Sequence, residues 1–152
     1  MNFNIFNLEN GKFNLNFQNI FKKKTKIDKI NANILFVDDE DFPVVAKLKE
    51  AGWSVTKIKD IKNIQDEDVQ KAHVIFVDYK GVGKSLSETA QGIGIIKAIK
   101  NTYGDSKRVI LYSGYGRFNL GLDLRAADNQ LSKNSDVYEF ITMIESEIKE
   151  LK

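Results

Sequence analysis

From residue 33 onward the chain alternates short apolar runs with longer amphipathic stretches. The runs at 33–38, 53–58, 73–78, 107–112 and 127–131 are rich in Val, Ile and Leu and have the length of strands. Between and after them the apolar spacing predicts helices over 42–51, 62–71, 88–102, 115–125 and 134–151, the second and fourth with the weaker pattern. The first helix carries Val44, Val45 and Leu48, and Gly52 stops it. Pro43, the only proline, suits a first helical turn. The third carries Ile93, Ile95, Ile96 and Ile99 and ends before Gly104. The last places Val137, Phe140, Ile141, Ile144, Ile148 and Leu151 on one face, with Asn134 or Ser135 as the expected cap. Strand–helix alternation of this kind predicts an α/β fold: a parallel sheet, helices on both faces, right-handed crossovers.

Residues 1–31 follow a different rule. Phe13, Leu15 and Phe17 alternate with polar residues, and so do Phe3, Ile5, Phe6 and Leu8 with one change of phase at Ile5-Phe6. Asn10-Gly11 between the two runs is a hairpin signal, because both residues tolerate positive φ. The expectation is a β-hairpin pairing 2–9 with 12–20, with a bulge at the phase change. An isolated hairpin is marginal in water. This one should dock on another copy or a partner, or else complete the fold. Lys22 to Lys26 reads as a polar linker, with contact to a membrane not expected. The predicted division is 1–31, hairpin extension and basic linker, and 32–152, the domain.

Charge changes the picture little. The net charge is +2, too small to argue for nucleic acid, and direct DNA binding is not expected. The first 31 residues hold six Lys against two acids, so they carry the positive excess. Without cysteine there is no disulfide or thiol chemistry. No apolar run reaches the roughly 18 residues of a membrane span, and no signal peptide is apparent. A reducing cytoplasm is the expected location.

Candidate chemistry sits where the apolar runs end. Asn33-Ile-Leu-Phe-Val leads into Asp38-Asp39, and Val74-Ile-Phe-Val into Asp78. Val109-Ile-Leu-Tyr leads into Ser113, and the fifth run reaches Lys133. In an open parallel sheet the carboxyl ends of the strands share one edge, and ligands bind there. Three carboxylates, a hydroxyl and an amine at one edge suit a divalent metal and a phosphoryl group. Other patterns carry less. Gly83-Lys84-Ser85 is not a phosphate-binding loop, since the glycine that motif needs five residues earlier is Asp78. Gly92 and Gly94 are too sparse for a dinucleotide fingerprint. His73, the only histidine, and Trp53 read as packing residues.

Val-Asp38-Asp39-Glu, Val-Asp78, Tyr-Ser113-Gly and Leu-Ser-Lys133, in this order on these strands, resemble the receiver domain of two-component response regulators (the CheY-like superfamily) over about residues 32–151. The resemblance implies a (βα)5 doubly wound sheet of order 2-1-3-4-5, here with an N-terminal hairpin extension. It implies Asp78 as phosphoacceptor from a histidine kinase or phosphotransfer protein. Mg²⁺ would be held by Asp38, Asp39, Asp78 and the backbone carbonyl of Lys80, with Asp39 a direct ligand. Ser113 and Lys133 would each bind a phosphoryl oxygen. No enzyme activity is implied beyond phosphorylation and dephosphorylation of Asp78. The end of the sequence at the fifth helix suggests a stand-alone receiver whose output is binding of a downstream protein, or a homodimer through the hairpin.

This sequence also departs from the family pattern. Asn134 stands where a proline usually follows the lysine, and Val82 where a proline usually lies four residues after the acceptor. The loop at about 79–91 is long. Gln130 replaces the aromatic residue usual three positions before the lysine. Tyr115, two after the hydroxyl, would shield an acyl phosphate from water. The departures raise a rival, a pseudo-receiver that binds or dimerises without phosphate; the complete acid set opposes it. A phosphatase on a similar fold is a further rival, opposed by adjacent acids after the first strand in place of an Asp-x-Asp pair.

Overall fold

The computed structural model describes residues 26–114 and 124–152 and, as backbone, 6–9 and 12–15. Strands β1 (Phe6–Glu9) and β2 (Lys12–Leu15) pair antiparallel as a two-stranded sheet of their own. Glu9 lies opposite Lys12, the register a two-residue connection requires. The expected hairpin is therefore present over these residues. Its outer ends, the bulge, the Asn10-Gly11 turn and most of the lysine run lie outside the described residues. So do Tyr115 and the helix expected from 115 as far as residue 123; Leu124–Ala126 form a 3₁₀ turn.

The rest is a five-stranded, all-parallel sheet built from β3 (Asn33–Val37), β4 (Ser54–Ile58), β5 (Val74–Asp78), β6 (Arg108–Ser113) and β7 (Asn129–Ser132). Its order is β4-β3-β5-β6-β7, which is 2-1-3-4-5 when the sheet's strands are numbered alone. Strand residues alternate between two cores, as a period of two demands. Ile34, Phe36, Val74, Phe76, Ile110 and Tyr112 pack with helices α1 (Val44–Glu50) and α4 (Val137–Lys149). Leu35, Val37, Ile75, Val77, Val109 and Leu111 pack with α2 (Glu67–Lys71) and α3 (Gln91–Tyr103). Burial on both faces explains why the runs are continuously apolar.

Several element ends differ from expectation. Helix α2 is half the expected length, because Asn63 folds back: its side chain accepts from the Gln65 amide at 2.9 Å. Helix α3 starts at Gln91, since Ser87 Oγ accepts the Ala90 amide and holds 84–90 in turns. The cap of α4 is Asp136, not Asn134 or Ser135. Asp136 accepts from the Glu139 amide at 3.0 Å, and Glu139 accepts from the Asp136 amide at 2.9 Å, a capping box. Strand β7 begins at Asn129 and not at 127, after the 3₁₀ turn that takes Ala126. His73 and Trp53 are packing residues as read: His73 Nδ1 accepts the Asn33 amide, and Trp53 is buried. Among the described residues, no helix is long and apolar enough to cross a membrane.

Candidate functional site

The parallel register brings the carboxyl ends of β3, β5 and β6 and the turn after β7 to one edge. Val37 lies opposite Val77, Asp78 opposite Tyr112, and Ser113 opposite Ser132. Asp38 follows β3, Asp78 ends β5, Ser113 ends β6 and Lys133 follows β7. The four apolar runs thus deliver their terminal side chains to one place.

Lys133 is the hub. Its Nζ lies 2.7 Å from Asp78 Oδ2 and 2.9 Å from Asp38 Oδ2. It also sits over the rings of Tyr112 and Phe42, at 5.2 and 6.0 Å. Asp38 is 0% exposed, and its lone pairs are spoken for. Oδ1 accepts the Glu40 amide at 2.9 Å, and Oδ2 accepts the Tyr112 hydroxyl at 2.6 Å. The Asp38 backbone carbonyl accepts Lys57 Nζ from β4 at 2.7 Å. Asp39 is exposed and turned to the same cleft. One oxygen from each of Asp38, Asp39 and Asp78 can be chosen so that all lie within 4.8 Å of one another.

The electrostatics separate the two buried acids. Burial pushes both carboxyl groups up. At Asp38 the hydrogen bonds from Tyr112, Lys133 and Glu40 win, and its pKa lies below the usual value. At Asp78 burial wins over Lys133, helped by the charge of Asp38, and its pKa lies above it. Burial also lowers the Lys133 ammonium, but its bonds to Asp78 and Asp38 more than offset this, so it stays charged. Tyr112 is held protonated far above its usual range, first by burial and then by Asp38. The edge therefore combines a saturated acid, an acid held less comfortably and an exposed acid, with the Lys133 ammonium bonded to the two buried ones.

A cleft of about 290 Å³ opens over this edge, walled in part by Asp39, Asp78, Lys80, Gly81, Ser113 and Lys133. Two glycines let its walls close in. Gly81 has φ +87°, and a Cβ there would overlap the Asp39 carboxylate. Gly92, at the start of α3, lies so close to the Asp78 carbonyl that a Cβ would overlap it.

All the residues singled out in the sequence, Asp38, Asp39, Asp78, Lys80, Ser113 and Lys133, meet here. Gln130 is half-buried on β7, and Val82 is fully buried in the α2/α3 core. Two contributors escaped the sequence reading. Tyr112 passed as one more strand residue; its place one before Ser113, on the α1/α4 face, gives no hint of a partner 74 residues away. Lys57 lies on the edge strand β4 and carries no local signal.

No protein-family model matches the sequence, and no curated protein does. Solved structures do resemble it. One is NtrX from Brucella abortus in complex with ATP, with TM-score 0.64 and 20% identity over 78% of this chain and 27% of that one. A CheY-like response regulator receiver domain protein from Methanospirillum hungatei has TM-score 0.59 and 19% identity over 79% of this chain and 95% of its own. The response regulator TrrA from Thermotoga maritima, in complex with Mg²⁺-BeF, has TM-score 0.57 and 20% identity over 76% and 98%. The chain thus corresponds to about a quarter of NtrX and to nearly all of the other two. Sheet order, crossovers and these matches together identify the fold as that of the response regulator receiver domain.

Proposed function

We propose that the chain is a receiver that accepts a phosphoryl group on Asp78 with Mg²⁺ bound beside it. The observation that carries this is the convergence of three carboxylates with oxygens within 4.8 Å of one another, two of them bonded to the Lys133 ammonium. An all-oxygen donor set at a cleft floor fits a hard divalent cation that keeps several waters. Asp39, Asp78 and the Lys80 carbonyl would hold it directly. Asp38, saturated by protein donors, would act through a water. Bound there, Mg²⁺ would neutralise charge on the transferring phosphoryl group and on the crowded carboxylates.

The side chains then divide the remaining work. A carboxylate oxygen of Asp78 forms the new P–O bond, while the P–N bond of a donor phosphohistidine breaks and its electron pair leaves with the imidazole. The nucleophile is already an anion, so no general base is needed. Lys133 transfers its contact from Asp78 to a phosphoryl oxygen, and the Ser113 hydroxyl binds another, which spreads the equatorial charge. Residues 32–152 would form the switch and 1–31 the extension. A histidine kinase or phosphotransfer protein would supply phosphate, and a downstream protein would read the result. The hairpin would dock a second copy or a partner. Phosphate shifts such a switch only as far as it binds one conformation better than the other.

Intact-protein mass after incubation with acetyl phosphate and Mg²⁺ tests this. The expected result is a single phosphate adduct that requires Mg²⁺ and is absent from Asp78→Asn. No adduct together with no Mg²⁺ binding would overturn the proposal in favour of a module that binds without phosphate.

A further inference from the structure

The segment between β5 and α3 carries the Lys80 carbonyl and Gly81, which forms the seat for Asp39. Twelve residues, 79 to 90, separate these elements, yet no proline stiffens them; the only proline is Pro43. Two side chains from outside the turn do the stiffening. Asp60, which follows β4, places Oδ1 where it accepts the Gly83 amide at 2.6 Å and its neighbour's, the Ile61 amide, at 2.8 Å. Gln91, the first residue of α3, places Oε1 where it accepts the Gly81 amide at 3.2 Å. Between the two anchored amides lies Val82, fully buried in the core beneath. Beyond them the Gly83 carbonyl accepts the amides of Leu86 and Ser87, so the downstream half is folded onto the same point.

Gln91 is also the only described non-glycine residue with positive φ, at 42°. A left-handed glutamine is unfavourable, and such strain persists where the surroundings impose it. Here the strained backbone is what turns the Gln91 amide oxygen back onto Gly81. The position would suit glycine, but glycine has no side chain to make that bond.

We infer that Asp60 and Gln91 are positioning residues that strap the turn after Asp78, holding the Lys80 carbonyl and the Asp39 seat in the geometry that binds the divalent cation. This rests on the metal site proposed above. It adds two residues that touch neither metal nor phosphate. They act through Gly83 and Gly81, and bind the turn from two different elements, so that losing either leaves it anchored at one end.

The test is Mg²⁺ affinity by equilibrium titration of the full chain, read beside the thermal midpoint without Mg²⁺. Gln91→Gly removes the strap and relieves the backbone together. Its midpoint should not fall, while Mg²⁺ binding should weaken by about tenfold, the scale of lost supporting contacts around a metal. A residue with a merely structural role would not move the two readouts apart. Asp60→Ala should weaken binding similarly, and Asp60→Asn, which keeps an acceptor oxygen, should restore it to near the wild-type value. Should Asp60→Ala fail to fold, Gln91→Gly decides alone. Wild-type affinity in Gln91→Gly overturns the strap while leaving the metal site standing. A wild-type chain that binds no Mg²⁺ overturns the site, and the strap's role with it.

Discussion

At the carboxyl edge of the sheet three carboxylates gather around an open cleft, with Lys133 bonded to the two buried ones, while at the amino edge Arg108 and Lys100 tie two carboxylates into a network. The second arrangement is closed. Arg108, at the start of β6, reaches Glu147 of α4 at 2.7 Å and Asp128 at 3.2 Å. Lys100 of α3 reaches Asp128 at 2.9 Å and the Gly104 carbonyl at 3.0 Å. The spare oxygens are used as well. Asp128 Oδ2 accepts the Val109 amide at 2.7 Å, and Glu147 Oε1 accepts Asn129 Nδ2 at 3.1 Å. Within this network each charge has a countercharge, and α3, α4, β6 and β7 are stitched together. At the carboxyl edge the fold instead leaves the exposed Asp39 carboxylate facing an open cleft. Buried charge is costly unless paired, so the knitted edge serves as scaffold, and the edge that gathers three carboxylates beside a cleft is the one proposed above to bind a cation.

The largest break in this comparison should come from the closed edge. Arg108→Ala leaves Glu147, 3% exposed, and Asp128 with less than their full complement. Removing one partner of a largely buried network costs about 3 kcal/mol. Chemical denaturation should show that loss, and Mg²⁺ affinity measured on the folded fraction should be unchanged. A weakened Mg²⁺ site in this variant would mean the two edges are not separate.

Lys107 sharpens the comparison, because among the described residues it is the one buried cation, and it is held at the amino edge without an acid. It is 5% exposed and donates to the carbonyls of Gln70 and Ala72, at 2.7 Å each, at the end of α2. Burial pulls its pKa from the usual 10.5 down to about 8. The unfolded chain keeps this proton up to about 10.5, and the folded chain gives it up near 8. The penalty for the charged amine is thus full below pH 8 and is relieved as pH rises from 8 towards 10.5. The gain should be about 2 kcal/mol after allowance for solvent screening. Denaturation at several pH values should show that rise in the wild type and lose it in Lys107→Met.

Tyr112 offers the matching test at the open edge. Tyr112→Phe keeps the ring among Phe36, Phe42, Phe76 and Phe140 and removes one donor from Asp38. A buried carboxylate short of one hydrogen bond should lower stability by about 1 kcal/mol. A difference in denaturation midpoint between the two chains reads it directly; none would mean that Lys133 and the Glu40 amide satisfy Asp38 alone.

The four strand-end residues were legible in the sequence because each closes a run whose apolar continuity already marks a buried parallel strand. Sequential order along the chain then placed Asp38, Asp78, Ser113 and Lys133 on one edge. The cap of α4 was not legible: Asn134 and Ser135 offered equal capping chemistry and were expected there, and local geometry gave the place to Asp136, three residues before Glu139. What the sequence could not show were partners set by tertiary placement. Tyr112 finds Asp38 across the sheet, and Asp60 finds Gly83 across two loops. The closed edge was missed for the same reason, since Arg108, Asp128 and Glu147 lie on three elements and share no spacing.

The smallest effect belongs to the rim of the closed edge. Lys152 pairs with Asp105 at 2.9 Å beside the network, and Lys100 approaches the same acid at 3.7 Å. By distance alone the Lys152 contact equals that of Lys100 with Asp128. The surroundings differ: the Lys152 side chain is 77% exposed, and that of Lys100 19%. Water screens the outer pair, and holding two mobile side chains together offsets most of what attraction remains. Lys152→Ala should leave the denaturation midpoint within error of the wild type, and added salt should not change that outcome. Lys100→Ala should shift it clearly, because Asp128 would lose a partner out of water's reach. If both variants behaved alike, pairing at this edge would owe little to burial, and the contrast with the open carboxyl edge would lose its physical basis.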